Sequence, residues 1–98
     1  MEITFHDKRE FQRWFHRLAA NDQARVITSI NDLQNAARPL PMPHGRNLGS
    51  GLHELRPSSG RATQRLYYAV HGQQVILLCA GRKDTQDRDI DRARRRIT

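Results

Sequence analysis

From Arg38 to Ser50 the chain carries Pro39, Pro41 and Pro43, then Gly45 and Gly49, with Gly51 directly after. Proline fixes φ and removes a backbone donor, so this spacing sustains neither a helix nor a central strand. Glycine adds turn freedom. The stretch reads as a loop, and it divides the chain into two parts with different hydrophobic periods.

Before the loop the period is helical. Residues 2–5 read as a short strand with Ile3 and Phe5 on one face. Asp7 then caps a helix, with Glu10 three residues on as in a capping box. Phe11, Trp14, Phe15 and Leu18 form a single apolar stripe at i, i+3, i+4 and i+7. Asn21-Asp22 interrupts it and is expected to cap a second helix, whose stripe is Val26, Ile27, Ile30 and Leu33, ending near Ala37. Two helices with a tight break predict an antiparallel helical hairpin.

After the loop the period is that of strands. Leu52–Arg56 is one, Pro57-Ser58-Ser59-Gly60 a turn, and Arg61–Val70 a longer strand. Gly72 marks a hairpin, and Gln73–Ala80 follows, ended by Gly81. Its apolar run Val75-Ile76-Leu77-Leu78 is that of a strand covered on both faces. Thr85 is expected to cap a last helix, with Asp87, Asp89 and Asp91 early and Arg94, Arg95 and Arg96 late, an order that complements the helix dipole. The expected fold is α+β. An N-terminal strand and helical hairpin pack on a curved antiparallel sheet of three to four strands, with a C-terminal helix, in one domain over residues 1–98.

Composition narrows the function. No apolar run approaches the ~20 residues that span a bilayer, and Met1–Phe5 lacks the layout of a signal peptide. The single cysteine, Cys79, makes no internal disulfide, and no Cys/His spacing suggests a zinc site. A soluble, cytoplasmic protein without metal or cofactor is expected. The net charge of +7 points to an anionic partner, nucleic acid or acidic protein. Within residues 51–83 the basic side chains are Arg56, Arg61, Arg65, Arg82 and Lys83, and the only acid is Glu54. On an antiparallel meander such positions can converge on one face as a phosphate cradle. Tyr67 shares a face with Arg65 and is the better stacking candidate, while Tyr68 shares a face with Leu66 and Val70 and reads as core. His53 lies on the strand ending at Arg56, and His44 in the proline loop. The C-terminal arginines form a second basic patch.

Gly51-Leu52-His53-Glu54-Leu55-Arg56 resembles the G-L-x-E-L-R strand of the RelE/ParE toxin superfamily. Arg65-Leu66-Tyr67-Tyr68 resembles its Y-R-L-x-Y strand. Leu77-Leu78-Cys79-Ala80-Gly81-Arg82-Lys83, then Thr85-Gln86, Asp89-Ile90 and Ala93, resemble the ending L-L-x-G-x-x-K-x-x-Q-x-x-D-I-x-x-A. The HigB-like branch, the phage-derived addiction-module killer proteins, is the most similar, and the Phe11-to-Leu18 helix fits it.

The resemblance implies the toxin of a type II toxin–antitoxin pair. RelE-like and HigB-like members cut messenger RNA on the ribosome without metal, and ParE-like members poison DNA gyrase. It implies a cognate antitoxin, a small helix-turn-helix protein, with operator DNA bound only through that complex. It assigns catalysis to Arg56, Arg65 and Lys83; with the residue reading above, His53 joins them as a catalytic candidate, and Arg61, Tyr67, Arg82 and Gln86 are the candidates for substrate binding. Lys83 is the expected donor to the leaving oxygen. The general base stays open between His53 and Glu54, which face opposite ways, so at most one serves. Glu54 shares a face with Arg56 and reads equally as its ion-pair partner. RelE-like lysines are replaced here by Leu52 and Glu54, the tyrosine before R-L by Gln64, and Asp89 falls near the family's C-terminal tyrosine, departures that leave as alternatives a ParE-like gyrase inhibitor or a catalytically degenerate antitoxin-binding module.

Overall fold

Helix α1, Lys8–His16, starts where the capping residue places it: the Asp7 carboxylate accepts the Glu10 amide at 3.0 Å. Helix α2, Ala20–Asn35, starts earlier than expected, at an Ala19 cap without a side-chain bond. Asn21 and Asp22 therefore lie inside its first turn, where the Asp22 charge suits the helix dipole. Val26 and Leu33 are buried, but Ile27 is exposed. This computed structural model describes residues 1–97.

Five strands form one sheet in the order β1-β5-β4-β3-β2. They are β1 Glu2–Phe5, β2 Gly45–Gly49, β3 Leu52–Leu55, β4 Gln64–His71 and β5 Gln74–Arg82. Two expectations are corrected. The proline-glycine stretch is not all loop, because β2 occupies its end and pairs antiparallel with β3. The sheet is mixed rather than antiparallel, because β1 lies parallel to β5 with Ile3 opposite Val75. Two further boundaries move. β4 begins at Gln64 rather than Arg61, and β5 runs through Gly81 to Arg82.

Both faces of the sheet are covered. Leu55, Leu66, Tyr68, Val75 and Leu77 pack with Val26 and Leu33 under the hairpin, beside Phe11, Trp14 and Phe15. Leu52, Tyr67, Ala69, Leu78 and Cys79 pack under helix α3, Gln86–Arg96, against Ala93, Ile90 and Ile97. A bulge between Tyr67 and Tyr68 shifts the register with β5, so the consecutive residues Leu78 and Cys79 both serve the α3 side. Helix α3 is preceded by a 3-10 turn, Lys83–Thr85. The Thr85 side chain does not cap it; its hydroxyl donates to the Asp89 carboxylate at 2.6 Å.

Gly81 sets how closely α3 approaches. A Cβ there would collide with the Asp89 carboxylate, which is itself 2% exposed. At the far end of α3, Arg96 forks onto Glu10 of α1 at 2.6 and 2.9 Å and donates to the Leu78 carbonyl at 2.8 Å. The Arg96 guanidinium holds the Glu10 carboxyl below its ordinary range.

Candidate functional site

At one end of the sheet, on the α3 side, a carboxylate sits under a ring of cations. Glu54 pairs across β3 and β4 with Tyr67 and across β2 with Arg46, so all three share the α3 face. Glu54 is fully buried. Arg56 donates to one carboxylate oxygen at 2.9 Å, Arg46 reaches the other at 3.5 Å, and the Gln86 amide of α3 also donates to it. A buried carboxylate needs such partners, since an unpaired one would be expelled or protonated.

Arg65 lies beside this group and is 1% exposed. Its guanidinium donates to the carbonyls of Ala62 and Gln64 at 2.8 Å each and to that of Gly60 at 3.1 Å. The turn Pro57–Gly60 supplies the Gly60 carbonyl of this cage, with Ser58, Ser59 and Gly60 in the left-handed region, at φ 52, 56 and 86°. Left-handed backbone costs a non-glycine residue about 1–2 kcal/mol. The cage is therefore held by the packing around it. Glycine is required at position 60, where a Cβ would lie 2.6 Å from the Arg56 guanidinium. Arg56 and Arg65 thus meet at one glycine. Burial, with the neighbouring Arg56 charge, lowers the Arg65 pKa from its ordinary value.

The structure sorts the expected residues. Arg56, Arg65 and Gln86 are brought together around Glu54. Lys83 follows β5, its amide bonding the Thr63 carbonyl at 2.7 Å, and its side chain is exposed beside Gln86. Arg61 is exposed just before β4, and among the described residues it has no hydrogen-bonded or ion-paired side-chain partner. Arg82 is exposed, lines the groove beside α1, and pairs with Asp84 at 3.4 Å.

Two placements correct the expectation. His53 is on the other face: it stacks on Tyr68 at 5.2 Å, under the hairpin side of the sheet, and burial lowers its pKa. Strand alternation separates it from Glu54 as alternation requires. Tyr67 is not a surface stacking platform, because α3 covers it completely. Among the described residues its hydroxyl has no hydrogen-bond partner, and burial, with Glu54 and Asp89 nearby, raises its pKa well above the ordinary phenol value. Arg46 was missed because it sits in the proline-glycine stretch. The signal for it was Gly49-Ser50-Gly51, a tight turn with φ of 87, 53 and 83° joining two short strands.

A second basic region lies between α1, the end of β5 and α3. This groove of about 430 Å³ is lined by Arg13, Arg17, Arg82, Arg88 and Arg92, with Trp14 and Ala80 among its few apolar members. Its two acids are already engaged, Glu10 by Arg96 and by Arg92 of the groove, Asp89 by Thr85 and the same Arg92.

A five-strand mixed sheet between a helical hairpin and a C-terminal helix is the fold of RelE-like toxins. The crystal structure of the isolated E. coli RelE toxin superposes with a TM-score of 0.60, at 14% identity, covering 93% of this chain and 96% of that one. Residues 13–98 match the family described as phage derived protein Gp49-like (DUF891), and the chain belongs to that family. The membership and the fold agree with the RelE/HigB-like resemblance carried by the motifs. No curated protein matches the chain.

Proposed function

We propose that this chain is the toxin of a toxin–antitoxin pair and cuts messenger RNA on the ribosome. The observation that carries the reading is the convergence of Arg46, Arg56 and Arg65 on one end of the sheet, beside Lys83. RNA cleavage by the neighbouring 2′-hydroxyl builds charge on the phosphate oxygens, and fixed cations there lower the barrier. Arg56 is the side chain best placed for that phosphate. Lys83, exposed at the edge, donates to the leaving oxygen. Arg65, caged by carbonyls, positions Arg56 by holding the turn that carries Gly60. Arg61, Arg82 and Tyr67 are not part of the reacting centre, and His53 lies too far round the strand to be its base.

Glu54 has a cost in this scheme. It already occupies Arg56, so phosphate must exchange with the carboxylate, as one oxyanion for another on the same guanidinium fork. The freed carboxylate then becomes available to take the 2′-hydroxyl proton. The same closure favours a second reading, a toxin with a non-RNA target such as gyrase, in which Glu54 and Arg56 are a structural pair. The cytoplasm is the proposed compartment, and a small helix-turn-helix antitoxin, which alone contacts operator DNA, is the proposed partner.

The test is induced expression of wild type and Arg56→Ala in a bacterium, with transcript 5′ ends mapped and folded protein measured. New ends within coding regions, lost in the variant, are expected. Growth arrest without new ends would overturn the nuclease reading and favour the second one.

A further inference from the structure

The groove between α1 and α3 differs from the Glu54 centre in one physical respect: Arg92 alone is held closely, by Glu10 at 3.7 Å and Asp89 at 3.3 Å, and the remaining arginines outnumber the carboxylates left to them. Arg13 and Arg17 form no ion pair among the described residues. Arg88 reaches Asp89 only at 4.0 Å, and that carboxylate is already held by Thr85 at 2.6 Å and Arg92 at 3.3 Å. Arg82 and Asp84 are both largely exposed, a pairing that solvent screens. The excess positive charge therefore faces solvent from three separate elements. Arg13 on α1 and Arg17 at its C-cap are four residues apart, about 6 Å along the axis, and Arg9 extends the row by one more turn.

We propose that this groove is a docking surface for the phosphate backbone of RNA, separate from the reacting centre and blind to sequence. The chemistry of the lining selects the partner. Interfaces between proteins have apolar cores depleted of charge. Nucleic-acid interfaces are more polar and far more positive, and arginine grips phosphate as a bidentate fork. Here five arginines stand against two carboxylates, and the apolar surface comes from Trp14, Ala80 and side-chain stems rather than from a continuous apolar core. The groove's arginines suit phosphate oxygens, and a contact made through phosphates positions the chain on RNA rather than choosing a site. The preference for RNA over DNA rests on the function proposed above; the phosphate chemistry does not.

The test uses the full chain and a fluorescent, fully 2′-O-methylated RNA oligonucleotide, which cannot be cleaved. Anisotropy is followed against salt for wild type and Arg13→Glu/Arg17→Glu. Both positions are exposed, so the double variant is expected to keep the wild-type melting temperature. It should bind at least 10-fold more weakly at low salt, with a shallower salt slope. Should the α1 variant unfold, Arg13→Gln/Arg17→Gln, which removes charge without adding it, is expected to weaken binding 3-fold or more. Equal binding by a folded α1 variant and wild type would overturn the proposal. So would tighter binding of poly-glutamate than of the RNA, which would assign the groove to an acidic protein. Loss of transcript cleavage with docking intact would refute the nuclease reading and leave the docking surface standing.

Discussion

The Glu54 centre and the α1–α3 groove both gather arginines, but they do opposite things with them. At the centre every guanidinium is engaged: Arg56 and Arg46 by a buried carboxylate, Arg65 by three carbonyls. In the groove Arg92 is held by Glu10 and Asp89, but Arg13 and Arg17 are left open. A compensated cluster fixes geometry and holds its cations in place until a better oxyanion arrives. An uncompensated one attracts a polyanion from a distance and loses that attraction in salt. The formal net charge thus says little about where chemistry occurs, since the region with the most exposed charge is the less organised one.

The comparison is broken most directly at its closed end. Arg56→Ala should lower transcript cleavage ~100-fold or more, the usual scale for removing one donor from a developing oxyanion. A folded variant with undiminished cleavage would move the chemistry elsewhere. Glu54→Gln separates two roles of the carboxylate. If it serves as base after exchange, cleavage falls ~10²–10⁴-fold while binding of inorganic phosphate rises; unchanged cleavage would leave it only the role of holding Arg56.

The next effect is on stability. Gly81→Ala drives a methyl into the Asp89 carboxylate and should cost about 1–3 kcal/mol, read as a drop of several degrees in Tm. An unchanged Tm would show that α3 can retreat freely. Arg96→Ala should cost about 1 kcal/mol through Glu10, by thermal melts at neutral pH. The Glu10 pKa is depressed in the fold, so this stabilisation is present above its unfolded value near 4.5 and disappears as pH falls through the folded one. In Arg96→Ala that acid-side loss should shrink.

The smallest effect belongs to His53. Its pKa is lowered by burial, so just below 6.5 the unfolded chain binds more protons than the folded one. Stability therefore rises with pH up to about that value, and His53→Gln should flatten the rise in urea titrations between pH 5 and 7. An unaltered slope would assign it to another histidine.

The periodic parts of the fold were legible because side-chain period and burial coincide there. Phe11 to Leu18, Val75 to Leu78 and the Asp7 cap are examples. Two features escaped because they depend on pairing rather than period. β2 has a proline-rich approach and becomes a strand only against β3. β1 is too short to declare whether it runs parallel or antiparallel. In the candidate site, Glu54 as partner of Arg56 followed from strand alternation. The burial of Tyr67 did not, because its face is covered by a helix more than fifteen residues further along the chain, whose apolar stripe is only Ile90, Ala93 and Ile97. Arg65 looked like a free cation because nothing in a local sequence shows that a left-handed turn will fold carbonyls over it.

The parallel pairing of β1 with β5 bears on how the protein is made. Residues 2–5 leave the ribosome first, yet their hydrogen-bonding partners are residues 74–77. Helix α1 likewise waits for Arg96 to secure Glu10. Contacts this distant in sequence close late. A nascent chain that stalls before β5 therefore has an unpaired first strand, an uncovered Tyr67 and no Gln86 on Glu54. For a protein whose proposed target is the translating ribosome, this order of assembly keeps an unfinished copy from becoming competent on the machine that is making it.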